Sequence, residues 1–352
     1  MSTDLDRAVR EAFHRLGAVP PPVGIGPAVV RRVRRENRVR MAVTTGALVA
    51  LVAAAVPLGL GAAGGNNSQF GGATSCPLVV SAYSTTDPQD ATTRSLLRNA
   101  TGTYIELPYQ SVVPSPDGTR VLVQGGQDTP TSPLRSGILD PTDPDAVRWI
   151  DGYTGPGSWS PDGTEILFTV APRLGDQGFA IVDAVTLKSA FAKVDLYADN
   201  TGAHGFVWAD GGNQVARTIT QDGGESQADQ VTGIRFYDRS GRLARTLPAT
   251  AALTSADAFS PDGTRIALHN PLPDAPIRIV ATDTGAAQRT IRLSGQNQII
   301  AWIDDEHLVL RHWTDGFEGS EVRAVNLAGQ VVQVVPLRPD AVTANDITVT
   351  CS

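Results

Sequence analysis

Lysine is almost absent. The chain of 352 residues has two, Lys188 and Lys193, so nearly all of its 29 basic side chains are arginines. With abundant Ala and Gly, this is the composition of a GC-rich bacterial genome. Cysteine and methionine are as rare, two residues each, and aromatic residues make up only 6%. The marks of common chemistries are missing too. No G-x-S-x-G elbow, H-E-x-x-H pair, Walker loop or C-x-x-C pair occurs, so the usual signatures of a serine nucleophile, a zinc centre and a phosphate cradle are lacking. No catalytic residue, cofactor or metal is expected. What is present is globular: 41% of residues are hydrophobic, enough for a substantial core.

Charge is missing from one long stretch and unevenly spread elsewhere. Residues 1–40 carry nine Arg against Asp4, Asp6, Glu11 and Glu36, a balance of +5, so the whole-chain −7 leaves −12 on the remainder. An acidic body argues against a nucleic-acid partner, because such binding draws most of its affinity from neutralising phosphates. Residues 41–63, MAVTTGALVALVAAAVPLGLGAA, hold no charge over 23 positions, and about 20 suffice to cross a bilayer core as a helix. Pro57 is tolerated there. Arg31, Arg32, Arg34, Arg35, Arg38 and Arg40 crowd the N-terminal end, and the next charged residue is Asp87. The positive-inside rule therefore predicts residues 1–40 in the cytoplasm and the bulk of the chain outside a bacterial plasma membrane.

The leader is far longer than a usual signal n-region, which predicts a retained single-pass anchor. The alternative is secretion after cleavage near Ala63, where Gly61, Ala62 and Ala63 are small. Within the leader, Leu5, Val9, Phe13 and Leu16 form a helical stripe that Pro20, Pro21 and Pro22 end. It reads as a helix on the lipid surface or as a docking helix for a cytoplasmic regulator. Residues 64–75, GGNNSQFGGATS, read as a flexible tether.

One string recurs beyond residue 76. PSPDGTRVLV begins at Pro114, WSPDGTEILF at Trp159 and FSPDGTRIAL at Phe259. Each residue of the shared turn shapes the backbone in its own way. Pro presets φ, Asp accepts the bridge region, and Gly supplies the left-handed residue that closes a hairpin. Ser115, Pro116, Asp117 and Gly118, then Ser160, Pro161, Asp162 and Gly163, then Ser260, Pro261, Asp262 and Gly263 are thus predicted hairpin tips, followed by alternating strands. Two weaker copies, VWADGGNQVA around Trp208 and AWIDDEHLVL around Trp302, keep the aromatic and the turn chemistry. Successive copies lie 45, 49, 51 and 43 residues apart. A second hairpin follows in IRFYDRSG, IRIVATDTG and VRAVNLAG, from Ile234, Ile277 and Val322. Two hairpins per period of 40 to 50 residues predict the four-stranded blades of an all-β propeller.

The WSPDGT and FSPDGT tips resemble the propeller repeats of TolB-like and related WD-repeat-like proteins over most of residues 104–340. The resemblance implies a propeller and, for many members, a binding role outside the cytoplasm. It carries over no catalytic residue, because the matched positions are hairpin tips.

Cys76 and Cys351 open and close the region 76–352. CPLVVSAY and DITVTCS both read as strands, and beside TYIELPY they predict one composite blade. That makes six blades with the five motif-bearing ones, although five is also compatible. A disulfide between the cysteines would lock the ring outside the membrane; the alternative is two free thiols.

The polar residues outside the tips show no clustering in sequence. His14, His204, His269, His307 and His312 are scattered and read as ordinary surface or strand residues. Asp140, Asp143 and Asp145, and Asp222, Glu225 and Asp229, read as solvated loops that do not fit a calcium-binding loop. The expected function is non-enzymatic: a monomeric propeller, anchored through residues 41–63, that binds an unknown protein or envelope ligand at a propeller face. Its topology resembles that of membrane-bound anti-sigma regulators, without their zinc motif. A transmembrane signalling protein whose leader engages a regulator is the first alternative, and a propeller lyase or hydrolase the second.

Overall fold

The computed structural model describes residues 77–86, 93–125, 134–153, 156–170, 177–195, 205–221, 229–253, 255–270, 272–313, 320–335, 337 and 346–351. The leader, the apolar run 41–63, the tether, Cys76, His14, His204, Asp222, Glu225 and the Cys351 side chain lie outside the described residues. Among those described, no helix is long and apolar enough to cross a membrane.

Apart from two one-turn 3-10 segments, the regular structure of the described residues is β-strand throughout. Blade I begins with β1 (Leu78–Thr86), β2 (Thr93–Arg98) and β3 (Tyr104–Leu107). Blade II holds β4 (Ser111–Pro114), β5 (Val121–Gly125), β6 (Arg135–Asp140) and β7 (Asp143–Ile150). Blade III holds β8 (Gly157–Trp159), β9 (Glu165–Val170), β10 (Gly178–Asp183) and β11 (Ser189–Lys193). Blade IV holds β12 (Val207–Ala209), β13 (Gln214–Gln221), β14 (Gln230–Asp238) and β15 (Leu243–Pro248). Blade V has three strands, β16 (Arg265–Leu268), β17 (Ile277–Ala281) and β18 (Ala287–Ile291). Blade VI holds β19 (Gln296–Asp304), β20 (His307–Trp313), β21 (Ser320–Asn326) and β22 (Val331–Val335). Finally β23 (Asp346–Cys351) returns to blade I, whose order is β23-β1-β2-β3.

Alternation along the strands feeds two cores at once. In β9, Ile166 and Phe168 pack with Leu122, Ile138 and Trp159 between blades II and III, whereas Leu167 packs with Phe179, Trp208 and Val215 between blades III and IV. Both blade faces are therefore buried, and the strands read as nearly continuous apolar runs. Each of the six apolar clusters among the described residues spans two adjacent blades. The cluster that closes the ring joins Leu78, Val80 and Tyr83 of blade I to Val309, Val322 and Val335 of blade VI. The expected composite blade is present: β1 and β23 are antiparallel, from Leu78 opposite Cys351 to Ser84 opposite Asp346.

The repeated tips have one geometry. Gly118, Gly163 and Gly263 sit at φ of 69°, 70° and 70°, where a side chain would be strained. The serine does more than begin a turn. Its hydroxyl donates to the tip aspartate at 2.6 Å in all three copies and accepts the N–H of the residue five positions on at 3.0 Å. The serine hydroxyl, with help from the Thr119 and Thr264 donors, holds the carboxyls of Asp117 and Asp262 down at about 2. These turns therefore keep their anionic acceptor until the pH falls toward 2. Arg120 reaches from its tip to the Gly163 carbonyl of the next blade at 3.0 Å, and Arg265 likewise takes the Asp305 carbonyl.

The aromatic that precedes each motif makes a second link between blades. The indole N–H of Trp159 donates to the Val113 carbonyl at 2.8 Å, that of Trp208 to Ser158 at 3.0 Å, and that of Trp302 to Ala258 at 2.9 Å. Each acceptor lies one residue before the equivalent position of the preceding blade. The Phe259 ring has no N–H to give.

Blade V departs from the expected four strands. Ahead of Phe259 only isolated bridges form, Ala252 with His269 and Phe259 with Ile266. Between them the backbone turns through a 3-10 segment, Ala256–Ala258. The stretch ALTSADA is poor in the β-branched residues that favour a pleated strand, and Leu253 gives its N–H to the Thr218 hydroxyl of blade IV instead.

Candidate functional site

The gap in blade V shapes the centre of the ring. A cavity of about 270 Å3 opens at the face where the inner strands begin, opposite the Ser-Pro-Asp-Gly tips. One wall comes from blade II, with Ser111, Val113, Leu122 and Gln124; the facing wall comes from Gln298, Ile299 and Ile300 of β19, Arg311 of β20, and Asp346 and Ile347 of β23. Ser255 and Asp257 line it from the interrupted strand of blade V. A regular inner strand would continue the ladder here; the 3-10 turn instead sets a carboxylate in the wall.

Most charges near the cavity are matched. Arg311 is 5% exposed, with Nε donating to the Ser320 hydroxyl at 3.3 Å and its guanidinium over the Trp313 ring at 4.6 Å. Burial lowers its pKa, and the Asp346 charge opposes that shift. Asp346 in turn accepts the Ser84 hydroxyl at 3.4 Å. Asp257 differs. Water reaches it through the channel, yet protein surrounds it, and this desolvation pushes its carboxyl up to about 6, with only its own backbone N–H pulling the other way.

This shift has a consequence for stability. Between the ordinary carboxyl value, near 4, and 6, the folded chain keeps a proton that the unfolded chain releases, so stability declines as pH rises through that window. At neutral pH the charged Asp257 is a net cost, on the order of 1 kcal/mol once screening by channel water is allowed for. Three further polar side chains here lack partners: Ser111, Ser255 and Gln298 make no side-chain hydrogen bond among the described residues, and the Ser255 hydroxyl is itself buried.

The three described histidines are buried, and two of them, His307 and His312, lie on strand β20. His269, His307 and His312 are 1%, 6% and 7% exposed. Residues 43 apart in sequence meet on Asn297: His269 Nε2 lies 2.6 Å from its backbone carbonyl and His312 Nδ1 3.1 Å from its side-chain oxygen. Burial lowers the His269 pKa, so it stays neutral at physiological pH. His307 instead binds Asp304 at 2.8 Å. Pairing of β19 with β20 inside blade VI and the packing of blade V against it, which sequence spacing does not report, create this polar core. Asp140 and Asp143 sit exposed at the β6–β7 turn, and among the described residues no group of three or more His, Cys, Asp or Glu could hold a metal. The twelve tip residues, Ser115 to Gly118, Ser160 to Gly163 and Ser260 to Gly263, lie at the opposite mouth from the cavity and contribute nothing to it. Asp257, the residue that best marks the site, has no motif around it.

No protein-family model matches the chain, and no curated protein matches it. Among solved structures it is similar to TolB from Acinetobacter baumannii, at 17% identity and a TM-score of 0.51, over 74% of this chain and 63% of that one. It is also similar to a putative TolB from Agrobacterium tumefaciens, at 14% and 0.48, over 71% of this chain and 93% of that one. An oligogalacturonate lyase in complex with manganese matches at 13% and 0.46, over 74% and 75% of the two chains. The chain spans about 63% of the length of the Acinetobacter protein. Identities this low speak for fold alone: the domain is a TolB-like, six-bladed β-propeller, and a fold does not fix an activity.

Proposed function

We propose that this chain is a binding module, an extracytoplasmic propeller held at a bacterial plasma membrane by residues 41–63, which captures its ligand at the mouth of the central channel. The observation that carries the reading is the cavity wall, where Ser111, Ser255, Asp257 and Gln298 present polar groups that the fold itself leaves without side-chain partners. The buried Ser255 hydroxyl is costly unless something completes its hydrogen bonds, and the exposed Asp257 and Gln298 side chains stand open to an occupant of the cavity. Strands hold the wall of blades II, VI and I rigidly, as a recognition site requires.

Site-specific photocrosslinking in intact cells tests this. A crosslinker at Gln298, at the cavity, is expected to give ligand adducts, whereas one at Val185, in the outer β10–β11 turn of the opposite face and 68% exposed, gives none. Adducts confined to Val185 would contradict the reading. The same reagent at Phe13 reports on the signalling alternative, since a docking leader gives a cytoplasmic adduct and a lipid-bound one does not. A second reading, as a lyase or hydrolase, draws on Asp257 itself, because a carboxyl titrating near 6 suits general acid–base work. It separates from binding through Asp257→Asn: a binder loses its ligand, while an enzyme retains unconverted substrate.

A further inference from the structure

We propose that the channel-mouth cavity takes a small, saturated polar molecule bearing a protonated amine, with Asp257 as the anion that receives it. The inference rests on the channel mouth being the binding site and adds the chemistry of the occupant. Among the described residues three that line it are charged: Asp257, Arg311 and Asp346. Arg311 and Asp346 oppose each other and are further held by Ser320, Trp313 and Ser84. The cavity therefore carries an excess negative charge located on Asp257, which makes no ion pair among the described residues. A cation is the occupant that an unpaired carboxylate in the cavity wall attracts, and an anionic ligand would be repelled by it.

The remaining lining sets the body of the molecule. Ser111, Ser255 and Gln298 offer hydroxyl and amide groups that can both donate and accept, which matches hydroxyls on the ligand. Between them lie Val113, Leu122, Ile299 and Ile347, and among the described residues no aromatic ring lines the cavity. The apolar contacts thus suit a saturated carbon skeleton better than a flat ring. About 270 Å3 is below the usual range for drug-sized ligands, which begins at about 300 Å3, so the occupant is of monosaccharide or amino-acid size.

Protonation of Asp257 should weaken capture. The segments packed against its turn are β12, β16 and β19. They carry Arg265 and Asp304 as their only charged groups, and these are engaged by the Asp305 carbonyl and by His307. With Arg311 and Asp346 across the cavity, that leaves Asp257 as the group that titrates against the ligand.

Isothermal titration of the full chain with glucosamine, glucose and glucuronate at pH 7.5 tests the proposal. Glucosamine is expected to bind at least about tenfold more tightly than glucose, with glucuronate weakest, and to lose about tenfold at pH 5, where a carboxyl titrating near 6 is mostly protonated. Asp257→Asn should bring glucosamine down to the level of glucose, and Gln298→Ala should weaken both sugars together. Equal affinity for glucosamine and glucose, or no response to Asp257→Asn in a variant whose circular dichroism is native, overturns the proposal. Preference for glucuronate overturns the amine yet leaves the cavity as the binding site. Failure of all three sugars at millimolar concentration, with crosslinks only at Val185, overturns both.

Discussion

Removing residues 346–352 is expected to abolish the cooperative unfolding transition of the propeller. The segment supplies β23, the innermost strand of blade I, and its loss strips β1 of an antiparallel partner along six register pairs. It also removes Ile347 and Val349 from the cluster that joins blades I and VI. No neighbouring strand can take its place, because the other edge of β1 is already occupied by β2. Unpaired backbone at the centre of the ring and an opened apolar interface together exceed the roughly 5–15 kcal/mol that holds a domain of ordinary stability. Circular dichroism melting checks it. A truncated chain that melts cooperatively within a few degrees of the intact one would mean that the ring does not depend on its closure.

Cys351→Ser should act on the same junction more gently. Cys76 lies two residues before Leu78, the residue that faces Cys351 across the β1–β23 pair. We propose that the two cysteines are joined, which an extracytoplasmic address permits and a reducing cytoplasm does not. A crosslink over so long a loop stabilises by up to about 5 kcal/mol in the chain-entropy model. Cys351→Ser is therefore expected to leave a folded propeller with a markedly lower melting temperature, and denatured wild type is expected to show no free thiol until reductant is added. Two free thiols without reductant would remove both the crosslink and the stability difference.

The architecture was legible because its signal is local and repeated. Ser-Pro-Asp-Gly fixes a turn through residues adjacent in sequence, and its recurrence gave the blade period and, with the terminal strands, the six-bladed ring. What the turns did not reveal were links that exist only once blades are stacked. The Trp159, Trp208 and Trp302 indoles mark the repeat in the sequence; in the fold they are donors to carbonyls 44 to 50 residues away. His269 and His312 are 43 residues apart and share no motif; strand pairing within blade VI and the packing of blade V bring them to Asn297.

The candidate site was the least legible part, for a physical reason. Asp257 stands where the repeat fails, in a stretch that forms a 3-10 turn rather than a strand. A reading guided by periodicity passes over such an exception. Its raised pKa also comes from desolvation by surrounding blades, which no short window of sequence contains. Nor do Ser111, Gln298 and Arg311 form a motif; three inner segments and the second strand of blade VI bring them and Asp257 to one cavity.

The most direct test of the channel mouth as a built recognition site is a carbon-13 NMR titration of the Asp257 carboxyl in the full chain, with Asp257→Asn used to assign the signal. In the free protein the midpoint is expected at about 6, and saturation with glucosamine should move it down by at least about one unit, because a bound ammonium favours the charged form. A midpoint near the ordinary carboxyl value that does not move with glucosamine would mean that Asp257 is simply solvated, and the account of the cavity would be wrong.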